Sequence, residues 1–280
     1  MPSHKCYNEE VIYYKNPSFQ SIEHTFLITM QTSTRRTSYL KQLDANTPTK
    51  KVTILHNSGY QKCSKPRWVN NTMNDLWSVN REIFHKISYE ALYTKAKYIL
   101  VLEDDVQFTP DFKKHVGEIE DFLYNKPTVE LYSLGCVPIL TFPSLSSHIA
   151  VYFASGAHAV LYSRNACKRM YQMCSGVDCM LSIPHDIFIH KKLTSYMYYK
   201  SLAYQSHQNN TDNMSNWPIL GVYFIKVSNI FFSHPYIFSQ YSSNIGGILP
   251  LIVLFLFCAY AILHIFQNKI EKLVFVGNPF

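Results

Sequence analysis

The chain has 280 residues, 47% hydrophobic, 16% charged and 15% aromatic, a balance that excludes a disordered or low-complexity polymer and leaves one or two folded units. Nine glycines exclude collagen-like and glycine-linker architectures, and 21 Tyr with 18 Phe require a sizeable core. The net charge of +7 favours anionic ligands, but no basic helix, ribonucleoprotein aromatic motif or zinc-finger spacing accompanies it, so nucleic acid is not an expected partner.

Residues 1–23 lack the apolar stretch of a secretory leader and are read as an amino-terminal extension. His24–Met30 (HTFLITM) and Lys51–His56 (KVTILH) are short β-branched apolar runs that predict buried strands, with helix-compatible residues from Ser33 to Leu43 between them. Trp77–Ala96 predicts an amphipathic helix with Trp77, Ile83, Phe84, Ile87 and Ala91 near one face. A strand, Tyr98–Leu102 (YILVL), follows and runs into Glu103, Asp104 and Asp105. Further strands are predicted at Val129–Leu134 and Ala157–Tyr162, then a helix over Asn165–Met173, while Val137–Ser147 reads as a Pro- and Ser-containing loop able to lie over a site.

This alternation describes an α/β fold with a mostly parallel sheet flanked by helices, whose ligands belong at the carboxyl ends of the strands. The folded unit is assigned to 24–216 and an aromatic membrane-proximal segment to 217–243. The run from 245 to 266 contains no Asp, Glu, Lys or Arg and is long enough for a helix to cross a hydrocarbon core of roughly 30 Å, so a carboxyl-terminal transmembrane helix with a short tail, 267–280, is expected. An endomembrane location follows. A span so near the end of the chain points to a cytosolic domain, whereas Lys269 and Lys272 behind it point, by the positive-inside rule, to a cytosolic tail. The sequons at Asn70, Asn209 and Asn213 do not choose between these orientations. Seven cysteines form no C-x-x-C pair, which argues against structural zinc. Cys258 lies in the apolar run, and the other six suit either disulfides or free thiols.

Three adjacent carboxylates at a strand end repel each other unless a cation or donors offset the charge, and a hard divalent ion, Mn²⁺ or Mg²⁺, would do so. A solvated acidic turn is the plain alternative. The segment Y-I-L-V-L-E-D-D-V-Q-F-T-P-D-F (98–112) resembles the metal-binding element of nucleotide-sugar glycosyltransferases with the GT-A fold. H-T-F-L-I-T-M-Q-T-S-T-R-R (24–36) resembles their first strand and nucleotide loop, and G-A-H-A-V-L-Y-S-R-N-A (156–166) resembles a stretch of the lipopolysaccharide and collagen group, family 25. P-H-D-I-F-I (184–189) and L-A-Y-Q-S-H-Q-N-N (202–210) are similar to the late Asp and late His segments of related enzymes, although S-H-Q departs from the usual late pattern.

That resemblance implies a GT-A-like fold and a metal-dependent transferase moving a hexose or pentose from a nucleotide-diphosphate sugar, a UDP-sugar first among them, to a hydroxyl of a glycan, glycoprotein or glycolipid. It implies metal contact through Asp105, Asp104 and His207, donor contact through Arg35, Arg36, Glu103, Asp104 and His158, and Asp186 as the base that takes the acceptor proton. Each residue also has a plainer role open to it. Asp186 could cap a helix, the paired arginines could be solvated, His158 could be a core residue and His207 a surface one. Two other functions fit the same acidic residues, a metal-dependent phosphoesterase and a noncatalytic membrane-anchored binding protein.

Overall fold

The computed structural model describes residues 6–142, 146–173 and 184–205. Its strands are β1 (Tyr7–Tyr13), β2 (His24–Met30), β3 (Lys51–Asn57), β4 (Tyr98–Glu103), β5 (Val106–Phe108), β6 (Leu131–Thr141), β7 (His148–Ser163), β8 (Ser195–Tyr198) and β9 (Ala203–Gln205). Its helices are α1 (Arg36–Asn46), α2 (Thr72–Tyr89), α3 (Phe112–Asn125), α4 (Arg164–Met173) and α5 (His185–Lys192), with one 3-10 turn at Ala91–Tyr93. Seven strands form a mixed sheet in the order β1-β3-β2-β4-β7-β6-β8, and β5 pairs with β9 in a separate ribbon. Five strands of the large sheet, β2, β3, β4, β6 and β8, point the same way, and β1 and β7 run against them.

The central strands read as near-continuous apolar runs because both faces of the sheet are covered. Alternation sends Phe26 and Ile28 of β2 and Ile99 and Val101 of β4 toward Trp77, Ile83, Phe84 and Ile87 of α2 and Cys167 and Met170 of α4. Their neighbours Leu27, Leu100 and Leu102 face the other way, onto Tyr39 and Leu43 of α1 and Phe112, Val116, Ile119 and Leu123 of α3. Glu103 continues the Ile99–Val101 face, which places it on the side of the sheet where α5 packs. The Asn71 side chain starts α2 by accepting from the Asn74 amide at 2.8 Å, which satisfies one of the orphan donors of the first turn.

Residues before His24 supply an edge strand to the same sheet, since β1 pairs antiparallel with β3. A disulfide joins Cys6 to Cys63, and Cys136 and Cys167 are buried thiols. The expected loop over Val137–Ser147 is corrected in part: β6 continues to Thr141, pairing Val137 with Ser155 and Leu140 with Phe153. Pro138 stands in that strand, where the register shifts repeatedly, and such irregularities are where a strand tolerates a residue with no N–H to give. Among the described residues no helix is long and apolar enough to cross a membrane. The run 245–266, the segment 217–243 and the tail 267–280 lie outside the described residues, as do His207, Asn209, Asn213, Cys174, Cys179 and Cys258.

Candidate active site

Strand β4 ends at Glu103, and the chain turns at Asp104 and Asp105 before entering β5. The two aspartates are both buried, yet their surroundings differ. Asp104 is fully engaged: Thr29 Oγ1 and Ser33 Oγ each donate to its Oδ2 at 2.7 Å, and Arg35 Nη1 donates to its Oδ1 at 2.7 Å. Thr29 belongs to β2, the neighbour of β4, and Ser33 and Arg35 to the turn that leaves it, so the parallel pairing of β2 with β4 brings these donors to the acidic turn.

Among the described residues Asp105 has one side-chain donor, Gln205 Nε2, which reaches its Oδ2 at 2.6 Å. Gln205 arrives through the pairing of Val106 with Gln205 between β5 and β9. The other oxygen, Oδ1, is buried with no hydrogen-bond partner among the described residues. Burial pushes the Asp105 carboxyl up to about 6, with the Gln205 hydrogen bond opposing and the Asp104 charge reinforcing the rise. Glu103 is held well above the usual carboxylate range by burial and by the charges of Asp105, Asp186 and Asp104, against which Arg35 acts.

Asp186 lies in the first turn of α5, and the helix cap is Pro184, so the capping role does not fall to Asp186. Its Oδ2 accepts from Ser155 Oγ at 2.8 Å and from the Gly156 amide at 2.6 Å, and its Oδ1 accepts from the Ile187 amide at 2.9 Å. Gly156 has φ +90°, a conformation that side chains other than glycine's rarely adopt, and it aims its amide at the carboxylate. His185 and His190 flank this residue as neutral imidazoles, each lowered to about 4 chiefly by burial, with Asp186 opposing. His190 Nδ1 lies 2.7 Å from Ser195 Oγ, and the His185 ring lies 5.3 Å from Trp77.

No protein-family profile matches this sequence, and no curated protein sequence matches it. The fold is similar to the crystal structure of A197 from STIV, at 15% identity over 67% of this chain and 87% of that one, with a TM-score of 0.41. It is also similar to a glycosyltransferase involved in the glycosylation of the major capsid of PBCV-1, at 10% identity over 64% of this chain and 83% of that one, with a TM-score of 0.37. At these values no residue role passes from either protein to this one.

The structure therefore brings Arg35, Glu103, Asp104 and Asp105 together, with Asp186 close enough to act on Glu103. Arg36 is committed elsewhere: both its terminal nitrogens donate to Glu10 of β1, at 2.8 and 2.7 Å, and His56 lies 3.2 Å from the same carboxylate. His158 is buried on β7 in a slot between two glycines, since a Cβ at Gly135 would stand 2.7 Å from its Nε2 and one at Gly156 would stand 3.3 Å from its Nδ1. Among the described residues no three His, Cys, Asp or Glu side chains form a set that could hold a metal ion, and His207 lies beyond them. Thr29, Ser33, Ser155 and Gln205 were not legible as site residues. Gln205 stands two positions before His207, and that proximity is the only signal the sequence offers for it.

Proposed function

We propose that this chain transfers a sugar from a nucleotide-diphosphate sugar, foremost a UDP-sugar, to a hydroxyl of a glycan, glycoprotein or glycolipid. The observation that carries the reading is the Asp105 carboxylate, buried at a strand end with Oδ1 unpartnered and its affinity for a proton raised. A buried carboxylate that lacks a compensating charge is suited to receive a cation. Asp104 is not equivalent, because its oxygens already accept from Thr29, Ser33 and Arg35.

A divalent ion, Mn²⁺ or Mg²⁺, fits Asp105, with His207 as the expected second protein ligand, and when bound would supply positive charge opposite the leaving diphosphate. The chain's own residues perform the remaining work. Arg35 holds the Asp104 carboxylate in place, so that the turn keeps its shape beside the reacting groups. Asp186, fixed by Ser155, Gly156 and Ile187, accepts the acceptor proton as the new C–O bond forms at the anomeric carbon. The bond to the diphosphate oxygen breaks and its electron pair leaves with that oxygen. With the base on the acceptor side, the anomeric configuration inverts. The domain would act while attached to a membrane through residues 245–266.

The test measures release of nucleoside diphosphate by the full chain from UDP- and GDP-sugars, with Mn²⁺ and then with a chelator. Turnover that needs the ion, falls at least a hundredfold in Asp105→Asn and in Asp186→Asn, and occurs in variants that retain wild-type tryptophan fluorescence is the expected result. Full activity in a folded Asp105→Asn protein would sink the assignment. Nucleotide bound but never consumed would favour the noncatalytic role.

A further inference from the structure

Away from the acidic turn, a cleft of about 300 Å³ opens between the end of α3, the β6–β7 hairpin and β8, and its lining includes Phe122, Lys126, Phe142, His148, Tyr152 and Tyr196. None of these residues bonds to the acidic turn. Phe142, just past the end of β6, and Tyr152 of β7 are 64% and 54% exposed, and their rings stand 5.7 Å apart. The core beneath this part of the hairpin, Cys136, Val151, Ala154 and Met197, does not include them, so packing alone does not account for two adjacent exposed rings.

Lys126 gives the cleft a sign. Its ammonium donates to Tyr196 Oη at 2.6 Å and lies 4.3 Å from the Tyr196 ring centroid and 5.7 Å from that of Phe122. Among the described residues it makes no ion pair with a carboxylate. The positive charge is thus held in place by a hydroxyl and two π-faces, none of which neutralises it. His148 stacks on Phe122 at 4.0 Å and 7°, and its Nδ1 lies 2.8 Å from Tyr132 Oη. With the Tyr132 hydroxyl as donor, Nε2 carries the ring hydrogen and can give it to a ligand.

We propose that this cleft binds a saccharide bearing a carboxylate, the acidic sugar of a glycan, with Phe142 and Tyr152 against the C–H face of a ring, Lys126 on the carboxylate and His148 on a hydroxyl. Aromatic rings offer an apolar face to sugars at low ordering cost, and an unneutralised, positioned lysine selects an anion among them. A membrane surface fits less well, because Lys126 is drawn into a concave cleft by Tyr196 instead of standing clear to meet headgroups. The role of the cleft as a grip on the acceptor rests on the glycosyl-transfer reading, whereas its binding chemistry does not.

The experiment titrates the full chain, with metal chelated, by calorimetry. The probes are a glucuronic acid–N-acetylglucosamine disaccharide, the same disaccharide with glucose for glucuronic acid, glucose 6-phosphate, and vesicles of phosphatidylcholine with one-fifth phosphatidylserine. The acidic disaccharide is expected to bind at least tenfold tighter than the neutral one. Lys126→Gln is expected to abolish that preference, Tyr152→Ala to weaken both disaccharides alike, and Asp105→Asn to leave binding unchanged. Equal affinity for the two disaccharides, retained preference in Lys126→Gln, tighter binding of glucose 6-phosphate, or vesicle adsorption lost in Tyr152→Ala without sugar binding would each overturn the proposal. Lys126-dependent binding in a chain that consumes no sugar nucleotide would retain the cleft and reject transfer. Transfer without such binding would do the reverse.

Discussion

Replacing Asp105 by Asn should stabilise the metal-free protein at neutral pH while removing the proposed transfer activity. The Asp105 carboxyl is raised from its ordinary 3.8 to about 6 in the folded state, with burial as the main cause. A raised acid binds its proton more tightly in the folded than in the unfolded chain. Its contribution is therefore fully favourable below about pH 4, declines as the pH rises and is lost by the time the pH passes about 6. Two pH units at about 1.4 kcal/mol each give a cost of about 3 kcal/mol at pH 7 relative to pH 4. Asn keeps an oxygen for Gln205 and carries no charge, so the variant lacks this slope. Urea unfolding of the chelator-treated full chain, followed by tryptophan fluorescence to which the fully buried Trp77 contributes, reads the difference between the two proteins from pH 4 to 7. Glu103 is present in both, but the variant removes the Asp105 charge that helps to hold the Glu103 carboxyl high, and that relief favours Asn at neutral pH in the same direction. The expected difference grows toward Asn by about 3 kcal/mol over that range, and Mn²⁺ should narrow it by stabilising the wild type alone. Parallel stability curves, or an Asn variant less stable at every pH, would show that the Asp105 oxygen has a partner and that the cation argument is unsound.

Arg35→Met should destabilise by about 3 kcal/mol, because it strands a buried carboxylate, and Asp104→Asn in the same chain should recover at least about 1 kcal/mol of that loss in a double-mutant cycle; additive effects would place the pair outside the site's framework. Gly135→Ala should cost about 3 kcal/mol or prevent folding, since the new Cβ would meet the Ala203 carbonyl, with its carbon only 2.6 Å away, and crowd His158; a variant of wild-type thermal stability would refute this contact. Cys63→Ser should lower unfolding free energy by about 2–4 kcal/mol, because the Cys6–Cys63 bridge closes a 57-residue separation, and a variant as stable as the wild type in urea unfolding would refute this.

The sequence revealed those elements whose burial imposes a pattern. Strand β2 was legible to the residue, because a central strand covered on both faces must be apolar throughout, and β3 and β4 were legible within one residue for the same reason. Strand β1 was not, since an edge strand with one partner alternates between exposed and half-buried residues and carries Glu9 and Glu10, which pair with Lys86 and Arg36. Ribbon β5–β9 escaped notice because three residues are too few to show a period. Helix α3 is different: Phe112, Val116, Ile119 and Leu123 form a regular apolar stripe that the sequence displays.

Glu-Asp-Asp was legible as a candidate site, but the difference between its two aspartates was not, and the reason is physical. Asp104 and Asp105 are chemically identical neighbours, so nothing in the motif ranks them. Their difference comes from elements remote in sequence: Thr29, Ser33 and Arg35 sit 69 to 75 positions from Asp104, and Gln205 sits 100 positions from Asp105. Strand pairing between β2 and β4 brings three donors to the first aspartate, one of them a cation, whereas the β5–β9 ribbon brings a single amide to the second. The first carboxylate is thereby a structural group that shapes the turn. The second keeps a buried, unsatisfied oxygen, and only a group from outside the described residues can complete it. Exchanging the two environments, rather than the two residues, is what would exchange their roles.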